Sequence, residues 1–98
     1  MYLKIHPTPE GGIVAVCDSE LMGVVLSDGK RRLDLKKHAS FYRGEKADER
    51  AVRSALSGAA NANIVGKKSI AAAKSAGLDV SCAVLISGIP HLQIYRMP

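Results

Sequence analysis

The segment GAANANIVGKKSIAAAKSAG, residues 58–77, decides much of how this chain folds. Residues 62–65 suit a short strand or extended lead-in, Gly66 turns the chain, and the alanine-rich residues 68–76 favour a helix that Gly77 stops. A helix N-terminus presents unpaired N–H groups and a partial positive charge, to which Lys67 and Lys68 would add. Gly66, Lys67 and Lys68 therefore form a candidate phosphate corner. It is not a P-loop: that motif needs a glycine five residues before the Gly-Lys pair, and Asn61 stands there. With no recognisable magnesium-holding acid strand, a nucleotide triphosphatase is not expected. The competing reading is that Gly66 only lets strand turn into helix while the lysines point to water. Asn61 and Asn63, just before the corner, either cap a turn or read a ligand with donor and acceptor together, capping being the expected role.

Upstream, residues 2–6 alternate, with Leu3 and Ile5 set against Tyr2, Lys4 and His6. Pro7, Pro9, Gly11 and Gly12 punctuate a turn before the apolar residues 13–17, which predicts a first hairpin. A second hairpin is expected from residues 24–35, closed by a type I′ turn at Asp28-Gly29, with Leu33 and Leu35 facing inward. Residues 39–47 read as a loop. Asp48 is a good N-cap for a helix with Val52, Ala55 and Leu56 on its apolar stripe and Gly58 at its end. Residues 83–89 suit an apolar strand, Gly88 and Pro90 a bend, and Leu92 and Ile94 a final strand. This order predicts a single α+β domain over residues 1–98: a mostly antiparallel sheet of hairpins with two helices packed on one face.

No apolar run in the 98 residues approaches the ~20 of a membrane helix, and MYLKIHPTPE lacks a signal-peptide pattern. A cytoplasmic protein without a membrane partner is expected. Cys17 and Cys82 each sit in apolar runs and read as buried free thiols. His6, Cys17, Cys82 and His91 lack metal-ligand spacing, so no metal or other cofactor is expected. The net charge of +5 is uneven, at −3 over residues 1–29 and +8 over residues 30–98. Lys30, Arg31, Arg32, Lys36 and Lys37, against Asp34, would line one exposed sheet face. They invite a polyanion or merely solvate that face.

Two further stretches carry chemistry. Phe41 and Tyr42 beside Arg43, Glu45 and Lys46 pair stacking with charge, as single-stranded nucleic acid is often held. Phe41 is the expected core residue and Tyr42 the one free to act. In residues 88–95, His91, Gln93 and Tyr95 share one strand face. A catalytic site would need a partner for the histidine, with Ser87 or Glu45 the candidates.

The motifs MYLKIH (1–6), AVCD (15–18), FYRGE (41–45), ANIVG (62–66) and GIPHLQIY (88–95) stand in an order that resembles a small archaeal family of uncharacterised proteins, domain of unknown function 424. The resemblance spans nearly the whole chain. It implies an archaeal cytosolic protein, carries an expected link to translation or RNA, and implies no activity, cofactor or catalytic residue. Family members often carry an acid where this chain has Lys67 and alanine where it has Leu92; the first departure speaks against a general need for positive charge at position 67.

The favoured functional reading is a non-enzymatic RNA- or ribosome-associated module using residues 30–37, Tyr42 and the Gly66 corner. The alternative is a small enzyme or ligand-binding protein built around His91, Gln93, Tyr95 and Glu45. A third is a protein-interaction subunit, dimeric through edge strands at its termini.

Overall fold

The structure, a computed structural model, describes residues 1–9 and 11–95. Strands β1 (Tyr2–Thr8) and β2 (Gly11–Cys17) form the expected antiparallel hairpin. A 3-10 turn, Ser19–Leu21, leads to the second hairpin, β3 (Val25–Asp28) and β4 (Arg31–Asp34). Its two-residue turn is Gly29-Lys30, and only Gly29 lies at positive φ (+61°). That fits type II′, with glycine first, rather than the expected type I′, which needs positive φ at both positions.

The expected loop 39–47 instead holds a single helical turn, α1 (Ala39–Tyr42), and a short edge strand, β5 (Glu45–Lys46). Helix α2 (Glu49–Leu56) starts as foreseen, Asp48 Oδ1 accepting the Ala51 N–H at 2.8 Å, and buries Val52 and Leu56. Then come β6 (Asn61–Val65), α3 (Lys67–Ser75), β7 (Val84–Ile86) and β8 (Ile89–Tyr95). The bend expected at Gly88 and Pro90 is a turn at Ser87-Gly88, both at positive φ (52° and 80°). Pro90 sits inside β8, opposite Leu85, where its carbonyl accepts the Gly66 N–H at 2.9 Å.

Six strands form one sheet in the order β5-β1-β2-β6-β8-β7; β3 and β4 form a second, two-stranded sheet. All ladders are antiparallel except β2 with β6, whose register pairs Ile13 with Asn61 and Cys17 with Val65. This parallel pair brings the C-terminal ends of β2 and β6 side by side.

Side-chain alternation gives the large sheet two apolar faces. Val14, Val16, Ala62, Ile64 and Leu92 pack against α2 and α3 through Val52, Leu56, Ala72 and Ala73. On the opposite face Ala15, Cys17, Val65 and Ile86 pack under the β3–β4 hairpin and α1 through Leu26, Leu35 and Tyr42. The expectation of two helices on one face holds, and the small hairpin with α1 covers part of the other. Each fully buried aliphatic side chain contributes about 1.5–3 kcal/mol. Helix cover stops short of Ile5, which is 59% exposed although it shares Leu3's face. Cys17 is buried, burial pushing its thiol up to about 12, whereas Cys82 is exposed, contrary to its apolar sequence context. Among the described residues, no helix is long and apolar enough to cross a membrane.

Candidate functional site

The hairpin covers only part of its sheet face. The uncovered part is polar because the strand period places Asn61 and Asn63 of β6, and His91, Gln93 and Tyr95 of β8, on that side. Three features fix what stands around it. Asp28, at the end of β3, accepts the Ser87 N–H at 2.6 Å and ties the hairpin tip to the β7–β8 turn. The basic residues next to Asp28 thereby border the same cleft as His91 and Gln93 of β8. From β1, Lys4 Nζ donates to the Ser40 carbonyl (2.6 Å) and His6 Nε2 to the Phe41 carbonyl (2.7 Å), filling acceptors that the end of α1 leaves open. His6 also stacks on Phe41, ring centroids 4.4 Å apart at 12°. Finally, Asn63 Oδ1 accepts both the Tyr42 hydroxyl (2.6 Å) and His91 Nε2–H (2.9 Å).

That last pair of bonds reverses the expected roles of the two aromatics. Tyr42 is 2% exposed and belongs to the core, while Phe41 is half-buried and lines the site. The reason is helical geometry: in a one-turn helix pinned by β1, residue 42 points beneath the hairpin and residue 41 along the sheet face. Burial pushes the Tyr42 phenol well above its ordinary range, so it acts as a neutral donor. Asn63 is neither a turn cap nor a lone ligand reader but the junction between the two strands and α1.

Two clefts flank His91. One, about 280 Å³, is lined by Leu33, His38, Phe41, Tyr42, Asn63, His91 and Gln93. The other, about 450 Å³, brings Lys30, Arg31, Arg32 and Cys82 to His91 and Gln93. Arg32, Lys37 and His38 border a further hollow that shares Leu33 and His38 with the first. The three hollows adjoin through these shared residues and form a groove along β4 with basic side chains on one wall. Arg32, itself exposed, is 3.6 Å from the half-buried Asp34, a surface pair that costs little to redirect.

Burial holds the His91 imidazole below its ordinary 6.5. The unfolded chain therefore takes up this proton first as pH falls. The associated stability is complete above about pH 6.5 and is lost as pH falls through the folded-state value. The urea midpoint is expected to drop between about pH 7.5 and about pH 5.5, and His91→Gln, which keeps a donor for Asn63, to flatten part of that drop. An equal drop in wild type and variant would show that His91 does not carry the effect.

The structure thus joins Lys30, Arg31, Arg32, Lys37, Tyr42, Asn63, His91 and Gln93, with Tyr95 next to Gln93 on the same face. It separates others. Glu45 lies on β5, four strands from β8 and so roughly 19 Å across the sheet at the usual spacing, and cannot serve His91. Ser87 is held in its turn by Asp28. Arg43 is the exposed C-cap of α1. Of the five cations expected on one strand face, only Arg31 and Arg32 lie on β4: Lys30 is in the hairpin turn, and Lys36 and Lys37 are in the turn after β4, where Asp34 Oδ1 accepts the N–H groups of Lys36 (3.0 Å) and Lys37 (2.8 Å).

The Gly66 corner is corrected most sharply. The α3 N-terminus is already filled by a carboxylate of the same chain. Asp18 Oδ2 accepts the Lys68 N–H (3.1 Å), while Oδ1 accepts both the Ser69 N–H (2.7 Å) and the Ser69 hydroxyl (2.6 Å). Asp18 and Ser69 are 3% and 0% exposed. Gly66, at φ +110° and ψ 154°, occupies a region open essentially to glycine alone, and a Cβ there would overlap the Asp18 carboxylate. Lys67 and Lys68 are exposed, Lys68 lying 4.0 Å from Glu20. No room is left for a phosphate on those N–H groups.

Sequence reasoning missed Asp18, Leu33, His38 and Cys82. The one signal for Asp18 was its place immediately after an apolar strand, matching Gly66 after β6, which matters only once the two strands are known to be parallel.

Fold and groove together describe an α+β domain with a polar, basic-walled sheet face. The model of a family described as protein of unknown function (DUF424) matches residues 6–97, and the chain belongs to that family. A solved structure, an uncharacterized conserved protein from Methanopyrus kandleri, is similar over 99% of this chain and 94% of its own, with a TM-score of 0.74 and 26% sequence identity. No curated protein matches.

Proposed function

We propose that this protein is a non-enzymatic RNA-binding module, archaeal and cytosolic, that acts in association with RNA or the ribosome. The observation that carries the reading is the convergence of Lys30, Arg31 and Arg32 with His91 and Gln93 on one groove. Cations on one wall meet phosphates, and polar and aromatic groups on the sheet face meet unpaired bases, which is the division of labour single-stranded RNA requires. Tyr95, 66% exposed on that face, adds a stacking surface. The Methanopyrus neighbour supports the archaeal setting.

An enzyme is less well supported. Burial disfavours the charged form of His91, whose Nε2–H is already given to Asn63 Oδ1, and Glu45, the carboxylate candidate named for it, lies across the sheet.

The test is fluorescence anisotropy with a labelled single-stranded RNA. If Lys30, Arg31, Arg32 and Lys37 each meet a phosphate, affinity falls about 50-fold between about 50 and about 200 mM salt. Absence of binding at the lower salt would sink the reading.

A further inference from the structure

We infer that the cleft of about 280 Å³ beside His91 receives one unstacked nucleobase of the RNA strand, while the adjoining basic cleft holds that nucleotide's phosphate. This rests on the RNA-binding reading and adds which part of the RNA is recognised. The two clefts share His91 and Gln93, so a ligand with a planar body and an anionic group can fill both at once. Size limits the occupant: sites for drug-sized molecules run about 300–1,000 Å³, and this cleft lies just below that range, room for one ring system.

The lining has the two characters a base presents. Leu33 and the Phe41 ring offer apolar surface to a π face. Asn63, His91 and Gln93 offer hydrogen bonds to an edge. The hydrogen bonds already made limit what each can offer. Asn63 Oδ1 spends its lone pairs on Tyr42 and His91, so its amide can offer a ligand only N–H donors. His91, donating through Nε2, keeps Nδ1 as an acceptor. The exposed Gln93 amide supplies both functions, its present contact being a 3.3 Å bond to the Tyr95 hydroxyl. An edge combining donor and acceptor therefore finds complements here. Phe41, stacked on His6 and edge-on to Tyr42 at 5.1 Å, is in place before any ligand arrives, which lowers the ordering cost of binding.

The deciding experiment compares a single-stranded RNA with a ribose-phosphate strand of equal length lacking bases, by anisotropy at two salt concentrations. Wild-type protein is expected to bind the abasic strand about tenfold or more weakly, with the salt slope unchanged. Gln93→Ala, at an exposed position, should weaken RNA binding and shrink that difference. Equal affinity for both strands, with the salt dependence intact, would overturn the base pocket and leave the RNA reading standing. Failure of either strand to bind at low salt would overturn the RNA reading and this inference with it.

Discussion

Replacing Asp18 by alanine is expected to lower the free energy of unfolding by about 3 kcal/mol. The carboxylate accepts two backbone N–H groups and the Ser69 hydroxyl at the start of α3. Removing it leaves buried donors without partners, each costing about 1–3 kcal/mol when orphaned, partly offset by local relaxation. It also removes a negative charge from the positive end of a helix. Asp18→Asn should fall between wild type and alanine, because one oxygen can still serve Ser69 while an NH2 group opposes the Lys68 N–H. Gly66→Ala should cost as much as Asp18→Ala or more, since it combines backbone strain of about 1–3 kcal/mol with displacement of that carboxylate. Urea denaturation followed by circular dichroism measures all three. A change under about 0.5 kcal/mol for Asp18→Ala would mean that water replaces the carboxylate and that the corner is not the structural lock described.

Reversing the charge at Arg31 and Arg32 together is expected to weaken single-stranded RNA binding about 100-fold or more at about 50 mM salt. Both side chains are exposed and the substitutions touch no core contact, so stability should change little. The salt slope should fall by about 1.4, the loss of two phosphate contacts on a single strand. The matching control reverses Lys67 and Lys68, equally cationic and exposed but outside the groove. If the groove is the interface, that control retains most of the affinity. Equal losses from both pairs would show that net charge, rather than the groove, drives binding, and would move the interface away from β4 and β8.

Much of the fold was legible from local rules. The Asp48 cap, the Val52 and Leu56 stripe, the Gly77 stop and the alternation of His91, Gln93 and Tyr95 depend on residues within a few positions of each other, where helix and strand periods govern. The errors arose where a distant partner chose the outcome. Phe41 and Tyr42 are adjacent aromatics; Tyr42 is the buried one because α1 turns it beneath the hairpin against residues from distant strands, where Asn63, 21 residues later, accepts its hydroxyl. Pro90 marks no bend because β8 uses its carbonyl toward Gly66 and needs no N–H from it. Cys82 stands in an apolar run yet faces solvent beside the groove.

By itself the sequence determined the α+β class, the hairpins, the limits of α2 and α3 to within a residue or so, and the strand face that carries the polar residues. It also determined that Gly66 is a strand-to-helix corner and not a P-loop. Only the tertiary structure decided what that corner does. The parallel pairing of β2 with β6 carries Asp18 to the α3 N-terminus, and an internal carboxylate takes the place an external phosphate would need. Likewise, only the tertiary structure brings the basic turn to the same cleft as His91 and Gln93, with Asp28 accepting the Ser87 N–H to tie the hairpin tip to the β7–β8 turn. Side-chain period and turn chemistry are local properties that a sequence displays. Which strands become neighbours depends on burying both faces of the sheet at once, a choice made by the whole chain.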